Sequence, residues 1–114
     1  MPSYRVTVDV LDVRAGVAPQ AVLPAAEAVL AKTHVVEDRL LDVAGVGTGH
    51  PQPRLHLRFV VDASERAAED AEAGAVARLL VDELDELVRC GMWRLHRGPG
   101  RRSTLVATGT PTTD

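Results

Sequence analysis

Basic side chains stand at alternate positions in two stretches of this chain, Arg54, His56 and Arg58 in one, Arg94 and His96 in the other. A third stretch adds Arg5 and Asp9. Alternation by two puts every member of such a set on one face of a strand. Guanidinium forks suit carboxylates and phosphates because their donors lie in one plane. An imidazole beside a carboxylate titrates near neutrality, so His56 or His96 with Asp9 is the acid–base pair this pattern offers. A second basic group, Arg97, Arg101 and Arg102, surrounds Gly98-Pro99-Gly100. As a hairpin tip it can straddle a phosphate backbone, which asks only for positive charge, or seat the acidic helix of a neighbouring subunit.

The other reactive side chains fit no chemical signature. His34, His50, His56 and His96 lack the close spacing of metal ligands. On strands separated by a third, His56 and His96 stand roughly 9–10 Å apart, too far to share an ion. The run Gly45-Val46-Gly47-Thr48-Gly49 lacks the last glycine of a dinucleotide loop, and Pro51 and Pro53 lead it into a strand. It reads as a hairpin loop. Periodicity places Cys90 at a helix C-terminus, where the negative dipole end discourages thiolate. The acidic sets at 69–72 and 82–86 read as solvated helix faces and do not match a calcium loop. No catalytic residue, metal or cofactor is assigned.

Strands must align the basic residues, and the alternation supplies them. Tyr4 to Val10 alternates apolar and polar, with Tyr4, Val6, Val8 and Val10 on one side. Pro19 or Pro24 suits the first turn of a helix that carries Leu23, Ala26, Val29 and Leu30 to about Thr33. Arg39 to Val46 reads as a weaker strand with Leu41 and Val43 inward. Arg54 to Asp62 is clearer, with Leu55, Leu57, Phe59 and Val61 inward. Ser64 serves as N-cap of a long helix to about Arg89, stopped by Gly91. Met92 to Arg97 then buries Trp93 and Leu95, and Ser103 to Thr108 can pair back as a fifth strand.

Strand, helix, two strands, helix, strand is the order of the ferredoxin-like split βαβ, an α+β two-layer sandwich. Here it carries an extra C-terminal strand forming a hairpin. Residues 1–109 make one domain and 110–114 a disordered tail. In the usual order 4-1-3-2 the helices cover one sheet face. Arg5, Thr7, Asp9, Arg54, His56, Arg58, Arg94 and His96 would share the other, with Asp42 toward its edge. RNA-recognition domains of this topology stack bases on aromatic residues of that face. Here the third-strand positions are Arg54, His56, Arg58 and Val60, so nucleic acid is not the expected ligand.

Composition limits the remaining choices. Of 114 residues 46% are hydrophobic and only 3% aromatic, so the core is built from Val, Leu and Ala. The net charge of −3 gives no overall pull toward nucleic acid or an anionic membrane. A single cysteine excludes an internal disulfide and, with no secretory signal or membrane-spanning run, points to a cytoplasmic protein. Twelve Arg against one Lys point to a GC-rich source, an actinobacterium or its phage.

The leading expectation is a small non-enzymatic binding module, homodimeric, using the cationic sheet face for an anionic small molecule or an acidic protein partner. Its binding residues are Arg5, Asp9, His56, Arg58, Arg94 and His96, with Arg97, Arg101 and Arg102 at the hairpin. In topology the chain also resembles the dimeric α+β-barrel proteins, which implies a small cofactor-free enzyme with His/Asp acid–base chemistry. No stretch of sequence carries that resemblance, and Arg residues stand where those proteins bury apolar groups. A phage accessory protein binding a host factor or nucleic acid through residues 97–102 is the third expectation.

Overall fold

The computed structural model describes residues 2–45, 47, 49–99 and 102–110. Five antiparallel strands form one sheet: β1 Ser3–Val13, β2 Val35–Ala44, β3 Gln52–Val60, β4 Val88–Arg97 and β5 Thr104–Gly109. Their order is β2-β3-β1-β4-β5, so β1, β3 and β4 are flanked on both sides and β2 and β5 are edges. Two helices, α1 Val22–Ala31 and α2 Arg66–Leu84, complete an α+β fold. Arg101 and the tail from 111 lie outside the described residues.

Both helices pack on the apolar face that alternation creates. Tyr4, Val6 and Val8 of β1 are fully buried, as are Phe59 and Leu57 of β3 and Leu95 of β4. Ala26 and Leu30 of α1 and Ala73, Ala77, Leu80 and Leu84 of α2 close over them. Small alanines at the centre of α2 let a 19-residue helix approach the sheet closely. Each buried Val or Leu contributes about 1.5–3 kcal/mol to this packing.

Four bulges interrupt the pairing, one of them at Val106 of β5. The other three decide which side chains of β1, β2 and β4 reach that face. Gly91 and Met92 of β4 together oppose Asp9 alone, between the pairs Val8–Trp93 and Val10–Cys90. The extra residue reverses parity, so Val88 and Cys90 are buried together with Trp93 and Leu95. A Cβ at Gly91 would stand 3.0 Å from the Leu11 side chain and 3.2 Å from Asp9 Cβ, so a larger residue there would make these neighbours give by a few tenths of an ångström. An extra residue at Leu11 turns Val13 back against the core opposite Val88. A third bulge at Glu37 lets both Val36 and Leu41 share the helix side.

Several expected boundaries are corrected by these pairings. β2 begins at Val35, four residues before the expected Arg39. Leu41 and Val43 have the expected parity but stay about half exposed, because the ten-residue α1 is too short to cover the edge. The N-cap of α2 is Glu65, with no side-chain cap, rather than Ser64. α2 ends at Leu84, not Arg89, since Val88 to Cys90 pair with the end of β1. Gly91 is accordingly a strand residue and not a helix stop. Cys90 is a buried strand residue too, and burial, not a helix dipole, pushes its thiol up to about 11.

At one end of the sheet a polar cluster ties α2 down. The Tyr4 hydroxyl donates to Asp70 Oδ1 and accepts from Arg97 Nη1 at 2.6 Å. Arg97 also bonds Glu69 Oε1 at 3.2 Å and Asp70 Oδ1 at 3.3 Å. Burial, reinforced by the Asp70 hydrogen bond, pushes the Tyr4 phenol up to about 12. Beside it, His34 bonds Glu72 at 2.8 Å and meets the Phe59 ring edge-on. No helix in the described residues is long and apolar enough to cross a membrane.

Leu57 and Leu41 face the same side of the sheet at 0% and 50% exposure. Leu57→Ala should therefore cost about 2–5 kcal/mol in urea unfolding and Leu41→Ala under about 1 kcal/mol. Equal losses would mean that α1 covers the β2 edge after all.

Candidate functional site

Strand pairing lines the open sheet face with three rows of side chains. Asp38, Arg58, Arg5, His96 and Leu105 form one row from β2 across to β5. Leu40, His56, Thr7, Arg94 and Thr108 form the next, and Asp42, Arg54 and Asp9 a shorter third. The six sheet residues expected as binding groups, Arg5, Asp9, His56, Arg58, Arg94 and His96, are all brought together here. Thr7 lies at their centre and is 6% exposed.

The charges in these rows are not evenly matched. Asp9 accepts from Arg54 Nε at 2.7 Å and lies 3.9 Å from Arg94 Nη1, so one carboxylate serves two guanidinia. Asp42 faces His56 Nε2 at 3.9 Å, beyond hydrogen-bond range. Arg5 and Arg58 have no ion pair or side-chain hydrogen bond among the described residues. They are direct neighbours across β1 and β3, where opposed Cβ atoms are about 4.5–5.5 Å apart. Like charges at that spacing repel unless an anion is shared between them.

A cavity of about 200 Å³ opens over this pair, lined by Arg5, Asp38, Leu40, His56 and Arg58 with Leu57 beneath. Asp38 and Leu40 were not among the expected site residues. Beginning β2 at Arg39 excluded Asp38, whereas Leu40 has the outward parity that an inward Leu41 implies and, being apolar, was not read as a site residue.

The expected partnership of histidine with Asp9 is absent from this arrangement, since Asp9 is committed to arginines. Burial lowers the His56 imidazole below its usual range, with Arg5 and Arg54 adding to the effect and Asp42 opposing it. Burial likewise lowers His96, helped by Arg5 and Arg94. Both rings are therefore neutral donors and acceptors at neutral pH. His56 Nε2 and Arg94 Nη1 are buried without a hydrogen-bond partner among the described residues.

The basic hairpin is not assembled as expected. Arg97 has the parity of Leu95, so its side chain turns to the helix side and joins the Tyr4 cluster. Arg101 lies outside the described residues, and Arg102 is exposed beyond β4. Trp93 is 5% exposed and packs in the core, with Arg78 6.0 Å from its ring centre. Among the described residues no three His, Cys, Asp or Glu side chains are grouped to hold a metal.

The lowered histidines set a direction for stability with pH. In the unfolded chain both titrate near 6.5, whereas in the fold they bind protons only at lower pH. The unfolded state then holds more protons in that window, so stability is full above about 6.5 and falls as pH descends below it. Urea midpoints measured between pH 7.5 and 5 should decline, and the H56Q/H96Q double variant should flatten the decline. A slope unchanged in that variant would assign the decline to the carboxylates instead.

No family model matches the sequence, and no curated protein matches it. Among solved structures the chain is similar to a phage SAM lyase in its apo state, with a TM-score of 0.53. The likeness spans 99% of this chain and 90% of that one at 11% sequence identity, and so concerns the fold.

Proposed function

We propose that this chain is a ferredoxin-like binding module whose open sheet face holds a small anionic ligand between Arg5 and Arg58. One observation carries the reading: Arg5 and Arg58, adjacent in register and without partners among the described residues, line one cavity, while Asp9 accepts from Arg54 and lies 3.9 Å from Arg94. A bound carboxylate or phosphate would relieve their repulsion and accept from both forks. Neutral His56 would add one further hydrogen bond without adding charge. In this reading Asp9 and Arg94 hold the face in shape rather than touch the ligand.

The near full-length likeness to a phage SAM lyase favours a second reading, a small enzyme acting on S-adenosylmethionine. That molecule carries a carboxylate, so the two readings share a contact and differ in turnover. Chromatography of S-adenosylmethionine incubated with the protein separates them: loss of the compound establishes the enzyme, and its persistence leaves the binding module.

Calorimetric titration with acetate and inorganic phosphate tests the first reading directly. The R5Q/R58Q variant should bind at least about tenfold more weakly. Its stability should be unchanged or raised by a few tenths of a kcal/mol, because a like-charge contact is removed. Equal affinity in the variant, or a loss of folding instead of binding, sinks the anion site.

A further inference from the structure

The cavity that holds Arg5 and Arg58 has an anionic pole as well. Asp38 stands directly opposite Arg58 in register, yet forms no ion pair with Arg58 or Arg5 among the described residues. One of its oxygens accepts from the Arg39 N–H at 2.9 Å, which fixes the carboxylate at the cavity edge. Leu40, half exposed, provides an apolar wall between that carboxylate and His56.

We infer that this cavity takes the head group of an α-amino acid, its carboxylate on Arg5 and Arg58 and its ammonium on Asp38. The inference rests on the anion site proposed above and narrows its ligand. A plain anion held between the two guanidinia leaves the Asp38 carboxylate facing another negative charge. A zwitterion satisfies both poles, because its two charges are separated by two bonds to one carbon. The side chain of such a ligand runs along Leu40, so an apolar one is favoured. A volume of about 200 Å³ suits a molecule of this size and is below the roughly 300–1,000 Å³ of sites for drug-sized ligands.

The face offers no equivalent elsewhere in the described residues. The Asp9 carboxylate is taken by Arg54 and lies 3.9 Å from Arg94, and Asp42 faces His56 rather than an arginine free of ion pairs. Asp38 is thus the one carboxylate of this face that shares a cavity with unpaired arginines. It makes no ion pair among the described residues and acts by recognising the ammonium.

Titrations of the full chain with L-methionine, N-acetyl-L-methionine and acetate test the inference. L-Methionine should bind at least about tenfold more tightly than its N-acetyl derivative, which keeps the carboxylate and loses the ammonium. Asp38→Asn should bring the two to within about twofold by weakening only the free amino acid. If N-acetyl-L-methionine binds the native chain as tightly as L-methionine, the ammonium subsite is overturned and the anion site stands alone. If neither methionine compound nor acetate binds, both assignments fall together.

Discussion

β1 is paired along both edges and covered by helices on one face, so its alternation governs everything around it. Tyr4, Val6 and Val8 must be dry, which commits Arg5, Thr7 and Asp9 to the opposite side. Antiparallel pairing then carries the same division into β3 and β4, residue by residue. A one-residue slip would bury the arginines and expose the leucines, and the cost of that exchange holds the register. The bulges at Leu11, Glu37 and Gly91–Met92 are compatible with this rule because each restores the apolar side after an irregularity.

On the open face the governing constraint is electrostatic. Asp9 is 14% exposed at its side chain, and one carboxylate in that position attracts Arg54 and Arg94 together. With that charge committed, the neighbouring row keeps a cationic excess at Arg5 and Arg58. The two neutral histidines result from the same crowding of burial and positive charge. Their neutrality avoids adding to the repulsion, and the buried Nε2 of His56 is left without a hydrogen-bond partner among the described residues. The helix side treats its arginine differently. Arg97 is consumed by Tyr4, Glu69 and Asp70, and so holds α2 to the sheet instead of presenting charge outward.

Much of this was readable in the chain before any tertiary contact was known. Alternation in residues 4–10, 54–61 and 92–97 identified three strands, their inward faces and the open-face side chains Arg5, Asp9, Arg54, His56, Arg58, Arg94 and His96. It did so because period two follows from backbone geometry alone. The same local rule failed wherever an extra residue entered a strand. It missed Asp38, and it ran the long helix through Val88 and Cys90, whose apolar spacing suits either structure.

Sequence by itself thus determined the order of elements, the core composition and most of the residues that share the open face. Tertiary structure alone decided how their charges are apportioned. Asp9 takes Arg54 and Arg94 rather than a histidine, and Arg97 leaves the hairpin for the helix. These outcomes depend on distances of 3–4 Å between residues dozens of positions apart, and on bulges that appear only when two strands are laid together. Alternation places a side chain on a face. Only the packed fold selects its partner.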